Sequence, residues 1–202
     1  MTDKLYKKIS LTTALSLFLM AIIAPIAVFG ILEAQGPKSA QDLQIAGSIF
    51  IIIALLDILI GWGVRWLFKG ENPELAELSG WFRILYGTVL LLSTAPLFIS
   101  ATDPAMMVQA DSAILSFQWI WDIGLFLFGL HLLLLGILVY RSPNFGRILG
   151  TLVVISGLAY TIDSILIFLG IEFPVVFSEY LFFGEILFMI WLFYRAIKGV
   201  KN

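Results

Sequence analysis

Six long stretches of apolar residues run through this chain of 202 residues, and they constrain its fold more than any other feature. A helix that crosses a membrane needs about 20 consecutive, mostly apolar residues. The breaks between the stretches contain Gly, Pro, Asn and Asp, which are typical of turns. Strand-like alternation of apolar and polar residues is missing, so a transmembrane barrel is not expected. The predicted spans are residues 9–32, 45–68, 81–101, 114–140, 145–170 and 174–197.

Composition supports the same fold class. Hydrophobic residues make up 60% of the chain and charged residues 13%, whereas soluble domains are about half apolar and about a quarter charged. We therefore predict an all-α integral membrane protein, a single bundle of six transmembrane helices over residues 1–202. The first stretch follows three lysines and lacks a small-residue cleavage site, so we expect it to be retained as a span.

Positively charged residues predict the orientation of the bundle. Ten of the twelve lysines and arginines fall on the side of the N-terminus, and Lys38 alone falls on the opposite side. Positive residues beside spans are retained in the cytoplasm, so both termini should be cytoplasmic, in a bacterial inner membrane. The twelfth, Arg83, is expected just inside the third span near the cytoplasmic surface. The ten are Lys4, Lys7, Lys8, Arg65, Lys69, Arg141, Arg147, Arg195, Lys198 and Lys201.

Charge and rare residue types exclude several classes of function. A formal net charge of −2 argues against a nucleic-acid partner. The absence of Cys excludes thiolate metal sites and cysteine catalysis. A single histidine, His131, excludes a multi-histidine zinc centre within one chain. No cofactor is predicted.

Ionisable residues inside the spans are the candidate site. Each costs a few kcal/mol to insert, so each is a functional hypothesis by default. At 1.5 Å per residue, Asp57, His131 and Glu185 lie about 15 to 18 Å from the positive ends of their spans, and could share one level. Asp122 and Asp163 should lie nearer the outer surface. The candidate residues are therefore Asp57, Arg83, Asp122, His131, Asp163 and Glu185.

Helical spacing limits which of these residues can meet. Asp57, Gly61 and Arg65 follow one another at intervals of four, so they lie on one face of the second helix. Gly61 would let another helix approach closely, and Arg83 could then pair with Asp57. Such a pair is either a structural link between helices or a proton-coupled site. Nine residues separate Asp122 from His131, which places them on opposite faces of the fourth helix.

Several short motifs resemble the bacterial membrane family called domain of unknown function 4386. The resemblance implies a small polytopic membrane protein, marks Arg83, His131, Asp163 and Glu185, and supplies no activity. The motifs are the run Phe128-Gly129-Leu130-His131 through Gly136, Tyr140-Arg141-Ser142, Arg147-Ile148-Leu149-Gly150, the run Gly157 to Ser164, Phe82-Arg83 and Gly184-Glu185.

The leading functional hypothesis is a proton-coupled carrier or small-ligand-binding membrane protein. Asp57, His131 and Glu185 would surround a polar pocket at mid-depth, with Asp122 and Asp163 on the outer access route. Pro25 and Pro96 could interrupt helices near the outer side. Membrane lipids are the expected surroundings, and a homodimer would enlarge so small a carrier.

Two alternatives remain open. An intramembrane hydrolase could hold a divalent metal with some of Asp122, Asp163, Glu185 and His131, or could use Ser156 or Ser164 with His131, although no Gly-x-Ser-x-Gly motif is present. A non-catalytic accessory subunit would instead bind another membrane protein helix to helix. Its contact residues would be Gly61, Gly63, Gly129 and Gly136.

Overall fold

The computed structural model describes residues 1–199, and every regular element within that range is helical. Six helical segments are long and apolar enough to cross a membrane, which confirms the predicted fold class. Lys201, one of the ten residues used to predict orientation, lies outside the described residues. The six spans are Asp3–Leu32, Ala40–Phe68, Pro73–Thr102, Ala110–Arg141, Arg147–Phe168 and Phe177–Lys198.

Some spans consist of more than one helix. The elements in chain order are α1 (Asp3–Ala27) with a π-helical turn (Val28–Leu32), α2 (Ala40–Phe68), α3 (Pro73–Ser93), α4 (Ala95–Thr102), α5 (Pro104–Met107), α6 (Ala110–Arg141), α7 (Arg147–Phe168), α8 (Phe177–Leu181) and α9 (Phe183–Lys198).

Interruptions fall in the first, third and sixth spans. The π-helical turn follows Pro25, and Pro96 lies in the first turn of α4 after the break at Thr94. Proline removes a backbone donor and clashes with the preceding turn, so helices change direction there. These two interruptions agree with the sequence prediction. The break between α8 and α9 at Phe182 contains no proline and was not predicted.

The third span starts earlier than predicted. It begins at Pro73 instead of residue 81, because the Asn72 side chain accepts a hydrogen bond from the Leu75 N–H across 3.1 Å. Asparagine before the helix and proline in its first turn form a favourable start. Polar residues in the first two turns hide this start from a search for apolar stretches.

The fourth and fifth spans pack against each other through small residues. A Cβ at Gly129 would lie 2.5 Å from the Thr161 hydroxyl oxygen, and one at Gly157 would lie 2.6 Å from the Leu133 nitrogen. Gly136, seven residues after Gly129, and Gly150, seven residues before Gly157, repeat this close approach. Small residues at this spacing let two backbones come into contact.

Side chains from separate parts of the chain contact one another at one end of the bundle, here called the basal end. The Ser142 hydroxyl donates to Glu71 across 2.7 Å, and Arg195 Nη2 donates to Asn144 Oδ1 across 2.6 Å. The Arg195 guanidinium also lies 5.8 Å from the centre of the Tyr6 ring. The basal end therefore contains the beginning of the first span and the end of the sixth, so both described chain ends share one side of the bundle.

Candidate functional site

Arg83 lies deep in the bundle and is completely buried. The sequence prediction placed it near the cytoplasmic surface, and that depth is wrong because the third span starts at Pro73. Ten residues of helix place Arg83 about 15 Å from the start of α3. Arg83 therefore shares a level with Asp57, which is also completely buried.

All three guanidinium nitrogens of Arg83 contact side chains from other spans. Nε donates to Asp57 Oδ1 on the second span across 2.6 Å, and Nη1 donates to Glu185 Oε1 on the sixth span across 2.5 Å. Nη2 lies 4.0 Å from the Met20 sulfur on the first span. The predicted Asp57 and Arg83 pair is confirmed, and Glu185 joins it.

An aromatic ring from the fourth span covers the guanidinium. The Arg83 Cζ atom lies 4.7 Å from the centre of the Phe128 ring, within the range of a cation–π interaction. Tyr160 on the fifth span packs edge-on against Phe128, with ring centres 4.8 Å apart. Through direct contacts and this second ring, Arg83 is linked to every other span of the bundle.

The cluster of Asp57, Arg83 and Glu185 has one positive group and two acidic groups. With both acids ionised it carries a net charge of −1, which is costly in a medium of low dielectric constant. Among residues 1–199, Asp57 Oδ2 is buried without a hydrogen-bond partner. Glu185 differs from Asp57 because 23% of its side chain is exposed. The cluster therefore has one carboxylate more than Arg83 can neutralise, and Glu185 is the acid that the surroundings can reach.

Gly184 and Ser156 fix the position of Glu185. A Cβ at Gly184 would lie 2.6 Å from the Leu152 carbonyl oxygen, so the sixth span contacts the fifth directly. The Gly184 N–H donates to the Ser156 hydroxyl across 3.1 Å, and that hydroxyl also contacts the Leu181 carbonyl. Ser156 thus supports the break between α8 and α9, and Glu185 lies in the first turn after the break.

His131 is buried beside the cluster and is bound to Ser79. Its Nδ1 lies 2.8 Å from the Ser79 carbonyl oxygen, so this nitrogen carries the hydrogen, because a carbonyl can only accept. The Ser79 hydroxyl is 3.3 Å from the His131 carbonyl oxygen. Ser79 precedes Arg83 by one helical turn, and His131 lies correspondingly closer to the basal end. Its Nε2 has no hydrogen-bond partner among residues 1–199.

Asp163 belongs to α7 and lies outside the cluster. Its side chain contacts the start of α8. It accepts hydrogen bonds from the Phe177 N–H across 3.0 Å and from the Ser178 N–H across 2.7 Å. These donors are unpaired at any helix start, so the contact is a helix cap. The side chain holds the loop between the fifth and sixth spans, which is a structural role that spacing alone did not reveal.

Asp122 is half-buried on α6, six residues before Phe128 and towards the end opposite the basal end. In the described part of the chain its carboxylate has no hydrogen bond or ion pair. The structure therefore brings together Asp57, Arg83 and Glu185, places His131 next to them, and leaves Asp122 and Asp163 apart.

The residues named for a hydrolase do not converge. Within residues 1–199 no three His, Asp or Glu side chains are close enough to hold a metal ion together. Ser156 is bound at the break in the sixth span, while His131 is bound to Ser79.

The glycines named for an accessory subunit are used inside the chain. A Cβ at Gly61 would lie 2.8 Å from the Gly80 carbonyl oxygen, and Gly63 contacts Thr13. Gly129 and Gly136 pack on α7. All four are buried within the bundle.

Six helices suited to spanning a membrane, gathered around a buried guanidinium with two carboxylates, define a polytopic α-helical membrane protein. Residues 12–196 match the family model described as domain of unknown function (DUF4386), and the chain belongs to that family. The predicted family membership is thereby confirmed.

One relative is a protein of Archaeoglobus fulgidus whose printed name is "Uncharacterized protein". It is 36% identical over 154 residues, which cover 76% of this chain and 83% of the relative. Its archaeal source shows that similar chains are not confined to bacteria. No solved structure matches the chain.

Proposed function

We propose that the protein is a proton-coupled membrane carrier of small anionic ligands. The observation that carries the proposal is that Arg83 binds two carboxylates from two different spans, one of them partly exposed at a helix break. Asp57 alone balances the charge of Arg83. Protonation of either acid would leave one ion pair without an uncompensated charge, and Glu185 is the acid that is partly exposed.

Protonation of Glu185 would change the contact between the third and sixth spans. A neutral carboxyl group loses its ionic attraction to the Arg83 guanidinium, which leaves a weaker hydrogen bond. The Arg83 Nη1 group then becomes available to an anionic group of a ligand, whose carboxylate or phosphate suits guanidinium geometry. The proton and the ligand would in this way bind together, which is the coupling that a symporter requires.

The break between α8 and α9 supports this proposal. Interrupted helices are common in carriers, because backbone at a break can rearrange without unfolding the whole span. The segment that follows the break begins at Phe183 and includes Glu185. A change in the bond between Arg83 and Glu185 would therefore act on α9, a helix that is separated from α8 by the break.

Charged and aromatic groups around Arg83 come from several spans. A pH-dependent change at Glu185 would occur among these neighbours, which are Asp57 on α2, Tyr86 on α3, His131 on α6 and Tyr160 on α7.

Electrical recording on a solid-supported membrane tests the proposal. Proteoliposomes would be exposed to jumps in the concentration of succinate, malate, fumarate or hydrogenphosphate, which are dianions, so that transport of each with one proton moves a net negative charge. We expect wild-type protein to give currents with at least one of these anions when a proton gradient is present. Glu185→Gln should abolish the currents, because the glutamine side chain stays neutral and cannot bind and release a proton.

Glu179→Gln is the matched control, since Glu179 lies on the same span but is exposed on α8. It should keep the wild-type currents. Equal currents in the wild type and Glu185→Gln, or no current with any of the four anions, would contradict the proposal.

A further inference from the structure

A cleft opens at the basal end, between the end of the fourth span and the start of the fifth. Its volume is about 470 Å³, within the range of small-ligand sites, about 300–1,000 Å³. It lies away from Arg83 and has no part in the proposed carrier function. The residues that line it are Tyr140, Arg141, Ser142, Pro143, Phe145 and Arg147.

Two exposed arginines line this cleft without a carboxylate partner. Arg65 forms an ion pair with Glu77. Arg83 forms ion pairs with Asp57 and Glu185. In residues 1–199, by contrast, neither Arg141 nor Arg147 has an acidic group within 4.0 Å. The Arg147 guanidinium lies 5.8 Å from the centre of the Tyr140 ring. The cleft thus has two uncompensated positive charges on its wall.

The turn that forms the cleft is held in place from behind. Arg195 Nη2 donates to Asn144 Oδ1 across 2.6 Å, and Trp191 Nε1 donates to the Asn144 carbonyl across 3.0 Å. Glu71 also accepts hydrogen bonds from Ser142 and Asn144, and these contacts fix the same turn. A site whose backbone is already fixed loses little conformational entropy when a ligand binds.

The start of α7 adds donors to the same place. Gly146 precedes this helix of 22 residues and has no side chain to cap it. The first N–H groups of a helix lack partners within the helix and favour an anion. A Cβ at Gly146 would meet nothing within 4 Å, so the start of the helix is open to the surroundings.

Apolar side chains beside the arginines indicate an amphiphilic ligand. Ile148 is 80% exposed and follows Arg147 directly, and Tyr140 is 46% exposed. Tyrosine at the end of a span is typical of the membrane interface. We propose that the cleft binds the phosphate headgroup of an anionic phospholipid, with the acyl chains of that lipid against Ile148 and Tyr140.

Native mass spectrometry from nanodiscs tests this lipid site. The nanodiscs would contain phosphatidylcholine and phosphatidylglycerol in equal amounts, and the spectrum reports which lipids stay bound after release. Wild-type protein should retain phosphatidylglycerol in preference. The variant Arg141→Gln with Arg147→Gln should lose that preference by about fivefold for each arginine removed.

The matched control is Lys69→Gln with Lys198→Gln, which removes the same charge near the basal end but outside the cleft. It should keep the preference. If the double variant fails to fold, the single variant Arg147→Gln replaces it. Its preference for phosphatidylglycerol should be about fivefold lower than that of the wild type.

Three results would overturn the proposal. The first is a preference for phosphatidylglycerol that survives loss of both arginines. The second is an equal loss of preference in the lysine control, which would mean that the lipid is attracted by the overall positive charge of the basal end. The third concerns free phosphate as the ligand, and is tested with wild-type protein in phosphatidylcholine nanodiscs. Retention of inorganic phosphate there, with no preference for phosphatidylglycerol in the mixed nanodiscs, would show that the cleft binds the ion and not the lipid.

Discussion

The Arg83 Nε group donates to Asp57 Oδ1 across 2.6 Å, and both side chains have no exposed surface. Removing one member of a buried pair leaves an uncompensated charge, which costs about 3–5 kcal/mol. Arg83→Met should therefore lower the melting temperature strongly, because it leaves two carboxylates without their cation.

Asp57→Asn should cost less than Arg83→Met, since Arg83 keeps its bond to Glu185. Arg65→Met is the control, because the pair of Arg65 and Glu77 is partly exposed and exposed pairs contribute little. Thermal unfolding in detergent can be followed through the six tryptophans. Equal losses in Arg83→Met and Arg65→Met would contradict the buried cluster.

Gly184→Ala should separate the sixth span from the fifth. The added Cβ would lie 2.6 Å from the Leu152 carbonyl oxygen and 2.8 Å from the Val153 Cα, and backbone atoms cannot yield as a flexible side chain can. Overpacking of this kind costs about 1–3 kcal/mol. We expect a lower melting temperature together with reduced ligand-driven current, because Glu185 is the next residue.

Gly30→Ala is the control for that substitution, since a Cβ at Gly30 meets nothing within 4 Å. It should leave stability and current close to the wild type. A Gly184→Ala protein as stable and active as Gly30→Ala would show that close contact at this position is not needed.

His131→Leu tests whether the histidine belongs to the proton site. His131 binds Ser79 and makes no hydrogen bond to the Arg83 cluster. We expect a loss of about 1–3 kcal/mol in stability, because polar groups at Ser79 lose their partner. The ligand-driven currents should remain. Loss of current in a folded His131→Leu protein, as in Glu185→Gln, would place His131 within the coupling machinery.

The orientation of the bundle can be measured by cysteine labelling, because the natural chain has no Cys. The positive residues predict that the basal end faces the cytoplasm. A membrane-impermeant maleimide added to intact cells should label Lys38→Cys and should leave Lys4→Cys unlabelled until the cells are opened. The reverse pattern would show that the basal end faces outward.

The sequence predicted the helical bundle and the Asp57 and Arg83 pair because both depend on local rules. Apolar length identifies spans, and the Asp57 to Gly61 spacing identifies a face where another helix can approach. The depth of Arg83 was wrong because Asn72 and Pro73 start the third span within a polar segment.

Other features of the site depend on contacts that spacing does not encode. Glu185 reaches Arg83 across 102 positions of the chain. Its position relies on the hydroxyl of Ser156, which only the folded chain brings to the break in the sixth span. The hydrogen bonds of Asp163 at the start of α8 were not predicted, because a helix cap and a buried acid cannot be distinguished by sequence alone.

Infrared difference spectroscopy of the carboxyl C=O stretch tests the central claim most directly, namely that the cluster holds one exchangeable proton on Glu185. On addition of the transported anion, the wild-type protein should gain one protonated-carboxyl band that is absent from Glu185→Gln and present in Glu179→Gln. An unchanged set of bands in Glu185→Gln would contradict the account, because the proton would then reside on another group.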